Sequence, residues 1–298
     1  MSDSLAKLRR KITSAIDLQS VVRTMKALAA SSIGQYEQSV LALADYYRTV
    51  ERGLGVCFRQ VAAMAGTAAP PAVAEHAVSG LVVFGSDQGL VGQFNDVVAE
   101  HALATLAKLS GKTLVWAAGE RVHTRLVDAG ITPAGLFRLP GSVQAITPLV
   151  WKILVQSERP PGAARVATLY LCYNQPVART GYAPVSQRLL PLDEAWQRQL
   201  AGQAWPSHNL PEVSGHHDTT LRALIREYLF VSIFRACAES LASENASRLA
   251  AMQRADKNIE TLLDALNGNF HRQRQGSIDE ELFDVITGFE ALKRTTIP

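Results

Sequence analysis

The chain has 298 residues, 47% of them hydrophobic, enough to bury a sizeable core in one or two domains. Its formal net charge of +3 is too small to point to nucleic acid, and it holds no run of about 18 apolar residues that would cross a membrane. Cys57, Cys172 and Cys237 are far apart and form no C-x-x-C, which argues against a disulfide framework or zinc site and fits a reducing compartment.

From Met1 to Lys11 there is no apolar h-region, so no signal peptide is expected. From Leu5 onward, alternating strides of three and four land on Leu5, Leu8, Ile12, Ala15, Gln19, Val22, Lys26, Ala29, Ile33, Tyr36, Val40, Leu43, Tyr47, Val50, Leu54, Cys57, Val61 and Met64. Only Gln19 and Lys26 break the apolar run. A spacing of about 3.5 residues held for roughly nine heptads predicts one helix of a left-handed coiled coil. No proline interrupts it, and Gly34, Gly53 and Gly55 are interior costs of about 1 kcal/mol each. At 1.5 Å per residue it would reach roughly 90 Å, and its single seam requires a partner helix. The first turns are basic, with Lys7, Arg9, Arg10, Lys11, Arg23 and Lys26 against Asp3 and Asp17. Such a stretch is either a solvated face or a contact for an acidic partner.

Gly66, Thr67, Pro70 and Pro71 read as a link between domains. From Val78 the period changes: Gly80–Gly85 reads as a buried strand and turn, and Asn95–Leu109 as a helix capped by Asn95 or Asp96. Thr113–Ala118 is a second strand, Glu120–Asp128 a helix ending at Gly130, and Ala145–Gln156 a third helix with Pro148 in its first turn. Arg165–Tyr173 is a strand and Pro184–Leu192 an edge strand. Alternating strands and helices predict an α/β layer with a largely parallel sheet.

Two stretches here invite an enzymatic reading. Gly85-Ser86-Asp87-Gln88-Gly89-Leu90-Val91-Gly92 is glycine-rich between strand and helix, but its glycines are not spaced G-x-G-x-x-G. A tight structural turn is the better reading. Gly111-Lys112-Thr113 resembles the end of a phosphate loop, but Leu106 stands where the earlier glycine belongs, and a strand follows instead of a helix. His208, His216, His217 and Asp218 lie in a Pro-, Gly- and Ser-containing stretch without ligand pairs at one-turn spacing, so a solvated loop with Asp218 or Thr219 as helix N-cap is expected. No Ser/His/Asp or Cys/His arrangement has a recognisable local signature.

No proline occurs between Pro211 and Pro298. A second seam runs through Leu249, Met252, Asp256, Ile259, Leu263, Leu266 and Phe270. It resumes one residue out of register at Ile278, Leu282, Val285, Phe289 and Leu292, with Gly276 inside the stutter. The predicted fold is α+β: a long antiparallel coiled coil of N- and C-terminal helices, residues 1–66 and 212–298, with an inserted Rossmann-like α/β domain over residues 78–205.

Three segments resemble one family. Leu18-Gln-Ser-Val-Val-Arg-Thr-Met-Lys-Ala-Leu-Ala-Ala30 is similar to the N-terminal motif of the γ subunit of F-type ATP synthases. Ser86-Asp-Gln-Gly-Leu-Val-Gly-Gln-Phe-Asn95 is similar to its central turn. Ala242-Ser-Glu-Asn-Ala-Ser-Arg-Leu-Ala-Ala-Met252 and Arg274-Gln-Gly-Ser-Ile-Asp-Glu-Glu-Leu282 resemble its terminal helix. The matches occur in family order over nearly the whole chain. The resemblance implies a central-stalk rotor shaft that couples ion flow through the membrane c-ring to ATP synthesis or hydrolysis on a surrounding ring of α and β subunits. It also implies an ε neighbour, no cofactor, metal or catalytic site of its own, no nucleic acid, and a peripheral place at the cytoplasmic face of a bacterial inner membrane.

By position the resemblance makes Arg9, Arg10, Gln19, Met25, Lys26, Arg274 and Gln275 rotor–stator contacts. Arg274 and Gln275 match the pair that bonds the β subunit's catch loop, Met25 matches the methionine facing the β lever, and the basic first turns match the surface meeting acidic lever residues. The chain departs from the family in three places. Ser31-Ser-Ile-Gly-Gln35 lacks the usual basic cluster, Val91 replaces a cysteine, and Gly288-Phe-Glu-Ala291 replaces a run of small residues, with Lys293–Pro298 beyond it. These changes resemble a divergent branch, such as an alternate bacterial form coupled to protons or sodium. Two rival classes are a Rossmann-type enzyme with helical extensions, which a nucleotide bound to the isolated chain would favour, and a free-standing coiled-coil scaffold, which self-association without ATPase subunits would favour.

Overall fold

The structure, a computed structural model, describes residues 2–64, 78–109, 111–158, 166–177, 181–209, 211–213 and 216–295, with backbone alone at 2, 3, 62–64 and 289–295. The predicted link at Gly66, Thr67, Pro70 and Pro71 lies outside the described residues, as do Arg165, residues 296–298 and the side chains of Met64, Phe289 and Leu292. The elements run α1 (Ser2–Met64), β1 (Val78–Phe84), α2 (Phe94–Leu106), β2 (Thr113–Ala118), α3 (Glu120–Asp128) and β3 (Gly135–Phe137). A single 3₁₀ turn, Val143–Ala145, then leads into α4 (Ile146–Glu158), followed by β4 (Val166–Val177), β5 (Gly181–Leu190), α5 (Glu194–Gly202) and α6 (His217–Thr295). The chain divides into two compact units, residues 1–28 with 249–298, and residues 29–248.

The unit of residues 29–248 is built on one sheet of order β3-β2-β1-β4-β5. All pairings are parallel except the last, β4 with β5, which makes β5 an antiparallel edge. Alternation along β1 sends Val82 and Phe84 to one face, Leu81 and Val83 to the other. Both faces are covered, as a parallel sheet requires. Leu81 and Val83 pack with Val98 and Ala102 of α2 and Val122 and Leu126 of α3. The other face takes α4 through Val150 and Ile153, together with Val50, Leu54 and Phe58 of α1 and Leu229, Ile233 and Leu241 of α6. Within this unit α1 and α6 run antiparallel: Tyr46 Oη donates to Glu227 Oε2 at 2.6 Å, and Gln60 pairs with His217 at 2.9 Å.

Four differences from the sequence reading have physical causes. The N-cap of α2 is Gln93, without a side-chain bond, because Asn95 turns back onto Ser86 instead. The α6 helix begins at His217, so Asp218 sits inside its first turn, where a carboxylate favours the helix dipole. The three-residue β3 was missed, being too short to show a period. The nine-residue α5 was also missed; Asp193 caps it by accepting from the Trp196 amide at 3.3 Å.

Trp196 of α5 lies against Tyr228 at 4.8 Å between ring centroids and meets Phe58 edge-on at 6.4 Å. Here a glycine counted as a cost has a use. A Cβ at Gly55 would come within 2.6 Å of the Leu200 carbonyl oxygen, so only glycine lets α5 approach α1 this closely. At Gly34, by contrast, an added Cβ would meet nothing within 4 Å. Gly34→Ala is therefore expected to raise stability by about 1 kcal/mol. Gly55→Ala is expected to lower it by about 1–3 kcal/mol, despite the same gain in helix propensity. Thermal melting of the two variants in parallel checks this; equal shifts would show that α5 does not press on α1.

Candidate functional site

All seven side chains expected to contact a partner fall in the unit of residues 1–28 and 249–298. Its core is a helix-pair seam. Ala15 and Val22 of α1 bury against Met252 and Ile259 of α6, flanked by Met25, Ala251, Ala255 and Leu263. The helices run antiparallel, since Ser4 donates to Gln273 Oε1 at 3.0 Å while Gln19 and Lys26 meet Asp256.

The two polar breaks in the first seam are answered by the charged position in the second. Lys26 Nζ donates to Asp256 Oδ2 at 2.7 Å. Gln19 Nε2 and Arg23 Nε both donate to Asp256 Oδ1, at 3.3 and 3.2 Å. Gln19 and Lys26, the breaks in the seam that the resemblance makes partner contacts, are thus also bonded within their own chain. Arg23 was missed as a member of this group, although its place three residues before Lys26 puts the two on one helix face. The Lys26 hydrogen bond, with help from Arg23, holds the Asp256 carboxyl below the ordinary carboxylate range.

The remaining predicted residues are less engaged. Arg9 lies over the Phe270 ring at 5.3 Å, a cation–π contact on the exposed edge of the seam. Arg10 is exposed, and Met25 is half-buried on the flank of the core. Arg274 and Gln275 are exposed on α6. A groove of about 480 Å³ separates the first turns of α1 from α6. Its lining residues are Ser4, Lys7, Leu8, Lys11, Asn269, Arg272 and Gln273, so every charge on it is positive.

Among the described residues no helix lies beside the second seam past Gln273. Ile278, Leu282 and Val285, expected to continue the buried seam beyond a stutter, are 54%, 57% and 70% exposed. Ser4, in the first turn of α1, already stands opposite Gln273. Ile286 joins them within about 100° of helix circumference, while Glu280 and Asp284 take the opposite side. The terminal stretch is an amphipathic helix with its apolar face uncovered.

In the unit of residues 29–248, the turn after β1 is filled by its own side chains. The Ser86 amide donates to Asn95 Oδ1 at 2.9 Å, and Asn95 Nδ2 donates to Ser86 Oγ at 2.8 Å. Asp87 accepts from the Glu120 amide at 3.0 Å and the Leu139 amide at 2.9 Å, tying α3 and the segment after β3 to the same turn. Gly119, at φ +119°, lets the chain pass Ser86, where a Cβ would lie 2.8 Å from its carbonyl oxygen. Ser247 of α6 donates to the Val91 carbonyl at 2.6 Å. One helical turn earlier, Glu244 pairs with Arg248 at 2.6 Å, both nearly buried. Burial pushes the Glu244 carboxyl up against the pull of Arg248. These bonds make the turn a structural pin that ties β1 to α2, α3 and α6.

The Asp256 group makes stability depend on pH with a definite sign. Its folded-state pKa lies below the unfolded one, so its contribution is complete above the ordinary carboxylate range and is lost as pH falls toward the depressed value. Asp256→Asn is expected to melt below the parent at neutral pH, with the difference shrinking on acidification below about pH 4. A difference in melting temperature that stays constant with pH would show that the carboxylate charge does not hold the pair.

The family model described as ATP synthase matches residues 4–292. The ATP synthase gamma chain of Granulibacter bethesdensis is 28% identical, the alignment covering 97% of this chain and 99% of that one. That of Sorangium cellulosum is 27% identical with the same coverage. Among solved structures, a chain of the Euglena gracilis mitochondrial ATP synthase (OSCP/F1/c-ring, rotational state 3) aligns at a TM-score of 0.63 and 16% identity, covering 100% of this chain and 98% of that one. A chain of the Tetrahymena thermophila mitochondrial ATP synthase (central stalk/c-ring) aligns at 0.54 and 21% identity, covering 79% and 99%. At those identities the structures speak to fold alone, whereas the family match takes in all three motif segments. The chain belongs to the ATP synthase gamma-chain family.

Proposed function

We propose that the chain is the central shaft of an F-type ATP synthase, turning inside a ring of α and β subunits and coupling ion flow through a membrane c-ring to ATP synthesis or hydrolysis. The observation that carries this reading is the exposed end of α6 beyond Gln273. There Arg274 and Gln275 offer exposed donors, and Ile278, Leu282, Val285 and Ile286 an uncovered apolar face. Side chains of this kind on one helix are satisfied by a second protein, and a ring around the helix end supplies one.

Residues 78–205 form the α/β domain in this reading, and residues 1–66 and 212–298 the paired helices. In this reading ATP chemistry belongs to the surrounding subunits, and in the glycine-rich turn after β1 the Ser86 amide is bonded to Asn95 and the Glu120 amide to Asp87. An ε subunit is a further neighbour, and the place of action is the cytoplasmic face of a bacterial inner membrane. No helix among the described residues is long and apolar enough to cross that membrane. Arg9, Arg10, Met25, Arg274 and Gln275 are the contacts to the ring. Gln19 and Lys26 contribute through the donors that Asp256 leaves free.

Arginine presents a planar fork of five donors and glutamine both donor and acceptor, which suits a carboxylate-bearing loop met at some rotor angles and left at others. Arg274→Ala with Gln275→Ala is expected to leave melting of the isolated chain within about 0.5 kcal/mol of the parent, since both are exposed. Steady-state ATP turnover of the assembled complex is expected to fall several-fold. Parental turnover in a fully assembled double variant would return both residues to an ordinary solvated face.

A further inference from the structure

A cleft of about 820 Å³ opens in the unit of residues 29–248, between the end of α4, the start of β4, the end of β5 and the first turns of α6. That volume is within the range of small-molecule sites, about 300–1,000 Å³. Its floor is apolar: Phe58, Leu154, Leu169 and Leu229 are each more than nine-tenths buried. The two uncharged polar residues on its wall are already engaged. Ser157 Oγ donates to the Leu154 carbonyl and Gln197 Nε2 to the Leu192 carbonyl, both at 2.9 Å. The charged residues stand at the rim. Glu158 and Arg226 lie 3.8 Å apart, too far for a hydrogen bond. Arg222 has no hydrogen-bond or ion-pair partner among the described residues, so the rim carries one unmatched positive charge.

The start of α6 sets a head-and-tail pattern. Leu221, Ile225 and Leu229 recur every four residues and line the cleft as an apolar row about 12 Å long. Arg222 and Arg226, each one residue further on, form a cationic row beside it. We propose that the cleft binds a single-chain fatty carboxylate, with its alkyl chain along the apolar row and its carboxylate on Arg222 and Arg226. The planar fork of a guanidinium matches the two oxygens of a carboxylate. A single negative charge balances the rim, whereas a phosphate monoester would bring about two. A neutral alkyl chain would leave both guanidiniums unmatched, and a small inorganic anion would leave the apolar floor uncovered. The cleft belongs wholly to the unit of residues 29–248, so nothing here depends on the shaft reading.

Calorimetric titration of the full-length chain with decanoate and, separately, with 1-decanol tests this. The parent is expected to take one decanoate per chain, saturating below millimolar concentration, and to bind 1-decanol about tenfold more weakly. Arg222→Gln with Arg226→Gln is expected to weaken decanoate about tenfold and to leave 1-decanol within about twofold of the parent. Both arginines are exposed, so melting is expected to shift by less than about 2 °C. Ala167→Trp, at an exposed position on the cleft wall, is expected to abolish binding of both by filling the space. Absence of saturable decanoate binding to the parent, uptake of many equivalents without saturation, or equal affinity for decanoate and 1-decanol would overturn the proposal. All three are read on the parent and hold even where a variant fails to fold. Undiminished decanoate binding in the double glutamine variant or in Ala167→Trp would also overturn it. A parent dimer that decanoate leaves intact and Ala167→Trp splits would assign the cleft to a second copy of the chain, with the same consequence.

Discussion

A helix with one apolar stripe is stable in water only where something covers that stripe. Along α1 the described seam residues from Leu5 to Cys57 are all buried or half-buried, and Val61, four residues on, is exposed. The cover changes with position. In one unit it is the single facing stripe of α6, through Met252 and Ile259. In the other, Val50 and Leu54 join a core that includes α4, α5 and a face of the sheet. The end of α6 departs from this constraint: its stripe continues in sequence, yet Ile278, Leu282 and Val285 are exposed.

Polar residues inside such a seam are a cost set against a gain in specificity. Exposed ion pairs contribute about 0–1 kcal/mol, and a well-packed apolar residue in the same place would often contribute more. What Gln19, Arg23, Lys26 and Asp256 add is register. A one-heptad slip would still pair apolar residues with apolar residues, but it would leave Asp256 without its cations and Lys26 in the seam without an anion. Four side chains at one level therefore fix which turn of α1 meets which turn of α6.

The long helices and the first two strands were legible because periodic runs announce themselves in sequence. The edge character of β5 was legible too, Pro184 being a residue that central strands avoid. What escaped were short elements and close approaches. The three residues of β3 have no measurable period, and α5 lies in a stretch that reads as loop until Trp196 is seen between Phe58 and Tyr228. Gly55 looked like a helix defect because the carbonyl that requires it belongs to Leu200, far away in sequence. Asp256 was visible as a seam position, yet its partners could be assigned only once the register of the two helices was known. Arg274 and Gln275 were placed by resemblance, and their exposure is compatible with a solvated face as well as a contact.

Three of the motif segments that carry the family resemblance do three different structural jobs. Ser86–Asn95 closes on itself through Asn95 and reaches α3 through Asp87. The Glu244–Arg248 stretch of α6 meets that turn through Ser247 and keeps its own charges paired. Leu18–Ala30 carries the donors gathered on Asp256. In an enzyme of this sheet topology, a turn at the carboxyl end of β1 would hold its amides open for a ligand. Here the Ser86 and Glu120 amides are already bonded to Asn95 and Asp87. On α6, Arg274 and Gln275 are exposed, as is the apolar arc from Ile278 to Ile286. Exposed donors and an apolar stripe side by side on one helix suit a protein that acts through what surrounds that helix.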